Sequence, residues 1–326
     1  MFTFIIRRFL IMIPMLLIAT FLMFMVISLT GDPLQEFRLM QPPPPPEVLE
    51  RMAHALRLDQ PLLMQYWLWL RGLPFGDFGP SLHDMDIGEE LVNRLFVSLR
   101  LLALGILIAF FMAIAAAIVG AVLHFSWADH IVSFVAVVMI SMPVFWLGIL
   151  LKRAAIGVNR TLEYRLFYTV GDGSGLSADS VIGNLLILVG VLTLPTVALA
   201  AQAFGTWSRY GRVALIEALN SEYVKLARAK GLSERRVVLA HGLRTSIAPM
   251  LTVVAAGGAV ILGESVVTEQ VFQWRGMGDL LVTGIQTNDV YVVLGWLLVA
   301  GTLIMFFNLI ADVLYALLDP RIRYAK

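Results

Sequence analysis

Apolar and polar positions divide this chain into six long apolar runs separated by polar segments. The runs are Phe9–Leu29, Leu101–Leu123, Ile131–Leu151, Val181–Phe204, Ile247–Val267 and Val290–Ala311. A helix needs about 20 residues to cross the hydrocarbon core of a bilayer, and each run meets that requirement. The pattern therefore predicts six transmembrane helices, which place both termini on the same side of the membrane.

The second run carries small residues at every fourth position. They are Gly105, Ala109, Ala113, Ala117 and Ala121. Small side chains let helix backbones approach closely within a membrane. The stripe therefore predicts a packing face rather than a ligand site.

The polar segment between the fourth and fifth runs, residues 207–246, is strongly basic and has a helical pattern. It holds eight of the 24 lysine and arginine residues of the chain. Apolar residues recur in its first half at a spacing of three to four positions, which predicts a helix with one buried stripe. The predicted stripe consists of Val213, Ile216, Leu219, Tyr223 and Leu226.

A sharp turn is predicted at Gly231, because glycine after a run of helix formers suits the left-handed backbone that ends a helix. Ser233 is a suitable N-cap for a second helix, and Leu232 and Val237 have the spacing of a hydrophobic staple. Such an elbow can press into a groove on another protein. The alternative is a basic amphipathic hairpin lying on lipid headgroups.

Composition supports the membrane interpretation. Hydrophobic residues make up 59% of the 326 and charged residues 14%, and the mean hydropathy is +0.83. These values are typical of an all-α integral membrane protein and predict extensive contact with lipid. With no cysteine, and with all five histidines outside the apolar runs, the sequence predicts no catalytic residues and no metal site. No phosphate-binding motif is present, and nothing indicates nucleic-acid binding.

Five residues of the apolar runs are candidates for a translocation pathway. Pro143 is predicted to kink the third run, with Phe145 beside it, and Pro195 to interrupt the fourth. Gly263 and Glu264 lie at the far end of the fifth run, where Glu264 is the only acidic residue at an edge on that side. A charge at membrane depth is costly and often functional. The alternatives are simple packing for the prolines and a solvated position in the interface for Glu264.

Asp312, near the end of the sixth run, is the remaining acidic residue of the runs. By charge alone it is expected to pair with an arginine of the basic segment, either Arg209 or Arg212. This is a structural hypothesis, and a charge reversal at Asp312 that left assembly and transport unchanged would remove it.

The basic segment resembles the coupling loop, or EAA loop, of ABC importer permeases, in the version typical of dipeptide, oligopeptide and nickel permeases. The matching residues are Tyr223, Val224, Ala227, Arg228, Ala229, Lys230, Gly231, Leu232, His241, Leu243, Arg244 and Pro249. The wider form of the motif has Glu-Ala before Ala227, where this chain has Lys225 and Leu226. Thr245 and Ser246 also depart from the usual Asn-Ala of the peptide family.

The resemblance extends over nearly the whole chain and is to the B-type permease subunit. It is carried by Arg7-Arg8, Gly31-Asp32-Pro33, Leu58-Asp59-Gln60-Pro61-Leu62, Gly76-Asp77 and the tail Asn308–Tyr324. It implies a type I importer bundle with an outer domain after the first helix. The expected division is residues 1–30 as tail and first helix, 31–95 as extracytoplasmic domain and 96–326 as transmembrane core with the coupling loop 207–246.

The resemblance also implies partners and roles. The expected partners are a C-type sister permease, two cytoplasmic ABC ATPases, an extracytoplasmic binding protein and a peptide substrate. ATP and magnesium would be bound by the ATPases, so this chain would bind no cofactor. Contact with the ATPases is implied for a set of residues around the turn, namely Glu222, Tyr223, Ala227, Arg228, Ala229, Lys230, Gly231, Leu232, Ser233 and His241.

The sequence also indicates the orientation of the chain in the membrane and the class of membrane protein. Thirteen basic residues lie in the N-terminal tail, the 207–246 segment and the C-terminal tail, against eleven elsewhere, which favours cytoplasmic termini in a bacterial inner membrane. A secondary transporter should carry ionisable groups near the midplane, and an intramembrane enzyme a nucleophile and base at depth. The runs lack both. Within the resembled family, nickel and glutathione remain alternatives to peptides as substrates.

Overall fold

The structure is a computed structural model that describes residues 2–83 and 85–318. Over this part of the chain all regular secondary structure is helical. A 3₁₀ turn at Leu73–Phe75 and a π-helical segment at Val237–Gly242 accompany the α-helices. The α-helices, in chain order, are α1 (Phe2–Thr30), α2 (Gln35–Leu39), α3 (Pro46–Ala55), α4 (Leu62–Gly72), α5 (Ile87–Val122), α6 (Trp127–Ser141), α7 (Val144–Leu162), α8 (Val181–Leu219), α9 (Glu222–Ala229), α10 (Glu234–Arg236), α11 (Leu243–Phe272), α12 (Met277–Gln286) and α13 (Val290–Leu318).

Five helical stretches among the described residues are long and apolar enough to cross a membrane. They are Leu10–Leu39, which covers most of α1 together with α2, the whole of α5 and of α8, Val290–Leu314 of α13, and Glu234–Phe272, in which α10, the π-helical segment and α11 follow one another without a gap. The pair α6 and α7 makes a sixth span if its two bent halves are counted as one. The all-α membrane class is therefore confirmed. The last residues of the family-like tail, Asp319–Tyr324, lie outside the described residues.

The third predicted span is broken rather than kinked. Its two halves, α6 and α7, meet at an angle of 109°. Met142 has an extended backbone, with φ −85° and ψ 122°, and Pro143 precedes the first residue of α7. A residue before proline is disfavoured in the α-helical region, so the helix ends at Ser141 and restarts after the proline.

The prediction that Pro195 interrupts the fourth span was wrong. Pro195 lies inside α8, which continues as one helix of 39 residues. The surrounding residues Leu194, Thr196 and Ala198 are buried, because α8 is packed against α6, α7 and α11. Helix α8 therefore tolerates the missing N–H of the proline in a packed environment.

The described chain forms two compact units. The first contains residues up to Ser98 together with Arg275–Met305, and so includes the whole of the predicted domain 31–95. Its core contains Phe24, Trp69 and Tyr291. The carboxylate of Asp289, which is 2% exposed, accepts hydrogen bonds from Ser81 Oγ, Leu82 N and Val292 N. Asp289 thereby caps the start of α13 and anchors the segment that leads into α5.

The second unit contains Leu99–Trp274 and residues 306–318 of α13. Helix α8 is its central element and contacts α6, α7, α9 and α11. The predicted small-residue stripe of α5 is buried in this unit, as expected for a packing face. Gly105 of that stripe faces Leu199 of α8, where an added Cβ would lie 3.1 Å from Leu199 Cδ2.

Candidate functional site

The turn at Gly231 has the left-handed geometry that the sequence predicts. Gly231 has φ +76° and follows α9 by two residues. Gly231 N donates to the carbonyl of Arg228 at 2.9 Å, and Leu232 N donates to the carbonyl of Ala227 at 3.4 Å. These two bonds form a Schellman motif, which satisfies the last carbonyls of α9. The turn is therefore fixed by backbone bonds that span only six residues.

The second arm begins at Ser233, which occupies the N-cap position of α10. Its hydroxyl makes no capping hydrogen bond, and the backbone bond from Val237 N to the Ser233 carbonyl, 2.9 Å, closes the first turn instead. Leu232 and Val237 both belong to one apolar cluster with Leu215, Leu219 and other buried residues. The staple positions thus lie against the same core, which sets the direction of the second arm.

The first arm differs from the predicted helix. Instead of one helix through residues 213–226, α8 ends at Leu219 and α9 begins at Glu222. Asn220 and Ser221 form a break in which both backbone N–H groups bond back to the last turn of α8. The break changes the helical phase, so Tyr223 and Leu226 are exposed. Val213, which precedes the break, is exposed as well. The buried residues of this arm are Leu215, Ala218, Leu219, Val224 and Ala227, of which only Leu219 belongs to the predicted stripe.

An ion pair joins the two arms across the turn. Arg228 Nε lies 2.9 Å from Glu234 Oε1, and Arg228 Nη2 lies 3.3 Å from Glu234 Oε2. Arg228 Nη1 also donates to the carbonyl of Leu219 at 3.2 Å. The same side chain therefore connects the end of α8, helix α9 and the start of α10. Glu222 pairs with Lys225 on the exposed face of α9, at 2.8 Å.

The predicted coupling residues divide into an exposed and a buried group. Ala227 is buried, whereas Leu232 and His241 are partly buried. The remaining residues of the set are exposed, namely Glu222, Tyr223, Arg228, Ala229, Lys230, Gly231 and Ser233. The structure therefore brings most of the set to one continuous turn, with Ala227 and Leu232 turned to its core and His241 placed further along the second arm.

Sequence analysis missed the π-helical segment Val237–Gly242, which contains His241. Such segments are rare and recur at functional sites. Gly242 lies against α8, where an added Cβ would stand 2.7 Å from Leu219 Cδ2. A glycine between two helical stretches was the available signal, since it permits this close approach.

The five candidate pathway residues do not form one cluster. Phe145 is 48% exposed just after the bend at Pro143. Gly263 and Glu264 are neighbours on α11, exposed and partly buried respectively, while Pro195 is buried in α8. Within the described residues, no hydrogen bond or ion pair joins any of the five to another. Their roles stay predictions.

Arg212 has a different partner from the one that charge alone predicted. Its Nε and Nη2 donate to Asp129 Oδ1 and Oδ2, each at 2.7 Å, in a bidentate pair. Asp129 is 3% exposed and also accepts from Phe125 N at 3.1 Å. The pair connects the start of α6 to α8. Arg209 is exposed, and its pairing with Asp312 stays a prediction.

Glu269 is a buried acidic residue that sequence analysis missed. Its side chain is completely buried in α11. The sequence had placed it two residues beyond the end of the fifth apolar run, and so outside the membrane helix. Because α11 continues to Phe272, Glu264 is not the only carboxylate on that part of the helix.

Comparison with known proteins supplies the family. Residues 105–324 match the family described as binding-protein-dependent transport system inner membrane component. The chain belongs to this family. Residues 1–83 match the N-terminal part of a membrane component of the same transport systems. The chain is therefore a multi-pass permease subunit of a transport system and not itself an enzyme, as the sequence predicted.

Two relatives of this permease are similar over their full length. The oligopeptide transport system permease protein OppB of Mycobacterium tuberculosis (strain ATCC 25618 / H37Rv) is 36% identical over 317 residues, 97% of this chain and 98% of the relative. The glutathione transport system permease protein GsiC of Escherichia coli (strain K12) is 34% identical over 326 residues, 99% of this chain and 100% of the relative. The predicted resemblance to a B-type permease is thereby confirmed.

Proposed function

We propose that this chain is the B-type permease subunit of an ATP-driven importer of di- or oligopeptides. The observation that carries the proposal is the exposed elbow at Gly231. Its own backbone hydrogen bonds and the ion pair between Arg228 and Glu234 fix its shape. An element of this kind transmits a push as a rigid body. A flexible basic hairpin on lipid headgroups would not need the Schellman motif or the ion pair between Arg228 and Glu234.

In the proposed mechanism, the elbow is the surface that contacts the cytoplasmic ATPases, of which the transporter has two. When they close on ATP, their grooves press on the exposed residues of α9, with Tyr223 and Lys230 at the contact. The displacement passes to α8 and to the stretch Glu234–Phe272, because Leu215, Val224 and Val237 share one buried cluster. ATP and magnesium belong to the ATPases, and this chain supplies only the mechanical contact.

The pathway itself is formed with a C-type sister permease in a bacterial inner membrane, with both termini in the cytoplasm. An extracytoplasmic binding protein releases its cargo into the opened bundle. The candidates Pro143, Phe145, Pro195, Gly263 and Glu264 are assigned to this pathway or its gates. The basic charge of the 207–246 segment supports this orientation.

Peptides are favoured as cargo because both relatives carry peptide names, one for oligopeptides and one for glutathione. Glutathione is itself a modified tripeptide, so it stands as the second candidate. Nickel is the third, on the coupling-loop pattern alone. These three cargoes are distinguished by transport measurements and not by the elbow.

The test is a tagged purification of this chain in mild detergent, followed by mass spectrometry of the co-purifying proteins. We expect one sister permease and two ATPases, and ATP hydrolysis that rises when the binding protein and a peptide are added. An unrelated membrane protein that carries the same tag is the control for non-specific capture. Recovery of a homo-oligomer alone, under conditions that preserve known complexes, contradicts the proposal and favours a secondary transporter.

A further inference from the structure

A cavity in the second unit lies beside helix α9. Its volume is about 570 Å³, within the usual range for ligand pockets. It is bounded by the end of α8, by the break before α9 and by the start of α11. The lining residues are Ala214, Glu217, Ala218, Ser221, Tyr223, Thr245, Ser246, Ala248, Pro249 and Thr252.

The polar groups of this cavity are almost all hydrogen-bond acceptors. The hydroxyl groups of Ser221, Thr245 and Thr252 donate their hydrogens to backbone carbonyls of Ala218, His241 and Ala248. Their remaining capacity is therefore the lone pairs of their oxygens. Ser246 is committed in the same way, to the carbonyl of Leu243.

Pro249 adds a further acceptor. Inside α11 it has no N–H to give to the carbonyl four residues earlier, which is that of Thr245. That residue also lines the cavity. The helix thus leaves a carbonyl without its usual partner at the edge of the pocket.

The charge of the cavity has one sign. Glu217 is exposed, and its carboxylate has no ion-pair partner among the residues that the structure describes. Among residues 2–83 and 85–318, no lysine, arginine or histidine lines the pocket. A carboxylate among hydroxyl and carbonyl oxygens is complementary to a group that carries several N–H donors and a positive charge.

We propose that this cavity binds the terminal ammonium group of a peptide in transit, with Glu217 as its counter-ion. The inference rests on the proposed function and adds a substrate site to it. A primary ammonium has three N–H donors, and the acceptors of the pocket outnumber them. Since Ser221 lies in the break and Tyr223 in α9, a displacement of α9 changes the shape of the pocket. The site therefore releases its ligand when the ATPases move the elbow.

The test uses the whole transporter in liposomes of phosphatidylcholine and phosphatidylglycerol, whose headgroups carry no primary ammonium. The probe is radiolabelled tri-alanine delivered by the binding protein, and the measured quantity is peptide transported per ATP hydrolysed. Loss of one charged hydrogen-bonding contact predicts that Glu217→Gln lowers this ratio about tenfold. Glu163→Gln, the same change at an exposed position after α7, is the matched control and leaves the ratio unchanged.

A second measurement does not depend on a variant. A tripeptide that carries benzoylphenylalanine is irradiated with the wild-type complex, and the labelled segments are mapped by mass spectrometry. Label at residues 214–223 or 245–252 supports the site. Label confined to other segments overturns the proposed site. That result is expected if the sister permease or a lipid occupies the cavity.

The outcomes separate the two proposals. A wild-type complex that hydrolyses ATP in response to the binding protein and transports the probe, with Glu217→Gln transporting equally well, overturns the site and leaves the proposed function standing. A wild-type chain that recruits no ATPase overturns the proposed function and the site with it.

Discussion

The elbow at Gly231 and the bend at Pro143 both change the direction of the chain between two helices, yet they are held in different ways. At the elbow, two backbone hydrogen bonds and one ion pair lie within residues 227–234. At the bend, the carbonyl of Met142 accepts a hydrogen bond from Gln202 Nε2 at 3.0 Å, and Gln202 belongs to α8. The first is a local structure, and the second depends on a helix sixty residues away.

The packing around the two turns shows the same contrast. An added Cβ at Gly231 would meet nothing within 4 Å, so the tip of the elbow is open at this position. Beside the bend, an added Cβ at Gly205 of α8 would lie 2.6 Å from the carbonyl of Ala136 in α6. The close fit of α6 against α8 leaves the bend no room to move alone. We infer that the elbow can act as a rigid lever, whereas the bend moves only together with α8.

The largest effect that tests this comparison is expected for Gly231→Pro. Proline cannot adopt φ +76°, and it removes the N–H that bonds to Arg228. The elbow should lose its angle, and we expect loss of peptide uptake and of binding-protein-stimulated ATP hydrolysis, with membrane insertion retained. Uptake in vesicles and the amount of inserted protein measure the two properties.

Gly175→Pro is the matched control for that variant. Gly175 has φ +82° in the loop after α7 and, like Gly231, open space around it. It should leave uptake intact, because it lies outside the elbow. Normal uptake by Gly231→Pro would contradict the lever.

An intermediate effect is expected at the bend from Gln202→Leu. The change leaves the carbonyl of Met142 without its donor, which costs about 1–3 kcal/mol when the acceptor is buried. The unfolding midpoint in detergent, followed by tryptophan fluorescence, should fall. Gln286→Leu, at an exposed glutamine in α12, is the control and should leave the midpoint unchanged. Equal midpoints for the two variants would show that the bend does not need α8.

The smallest effect is expected from Gly231→Asn compared with Gly231→Ala. No neighbour obstructs a side chain at this position, so the cost is that of the left-handed backbone alone. For alanine this is about 1 kcal/mol, while asparagine visits that region more readily. Uptake by the asparagine variant should therefore exceed uptake by the alanine variant. The reverse order would mean that the side chain itself meets the ATPase.

The elbow shows how far sequence reasoning extends. Gly231, Ser233, Leu232 and Val237 were placed correctly because each signal acts over a few neighbouring residues. The buried stripe of the first arm was predicted wrongly, since a break at Asn220 and Ser221 shifts the helical phase. Asn220 is the C-cap of α8 and Ser221 the N-cap of α9, and both residue types favour helix ends, so a local signal for the break was present in the sequence.

The apolar runs, the all-α membrane class, the small-residue packing face of α5 and the turn at Gly231 were determined by the sequence itself. Each depends on local propensity or on the hydrophobic effect summed along one helix, and both can be evaluated without knowing the neighbours.

Tertiary structure alone decided the partner of Arg212, the continuity of α8 through Pro195 and the cavity around Glu217. Arg212 and Asp129 are 83 residues apart, and charge complementarity fitted Asp312 equally well. Proline precedes a new helix at Pro143 but lies inside the continuous helix α8 at Pro195, and the residue type alone does not distinguish the two outcomes. These outcomes depend on which helices meet, and a one-dimensional pattern does not contain that information.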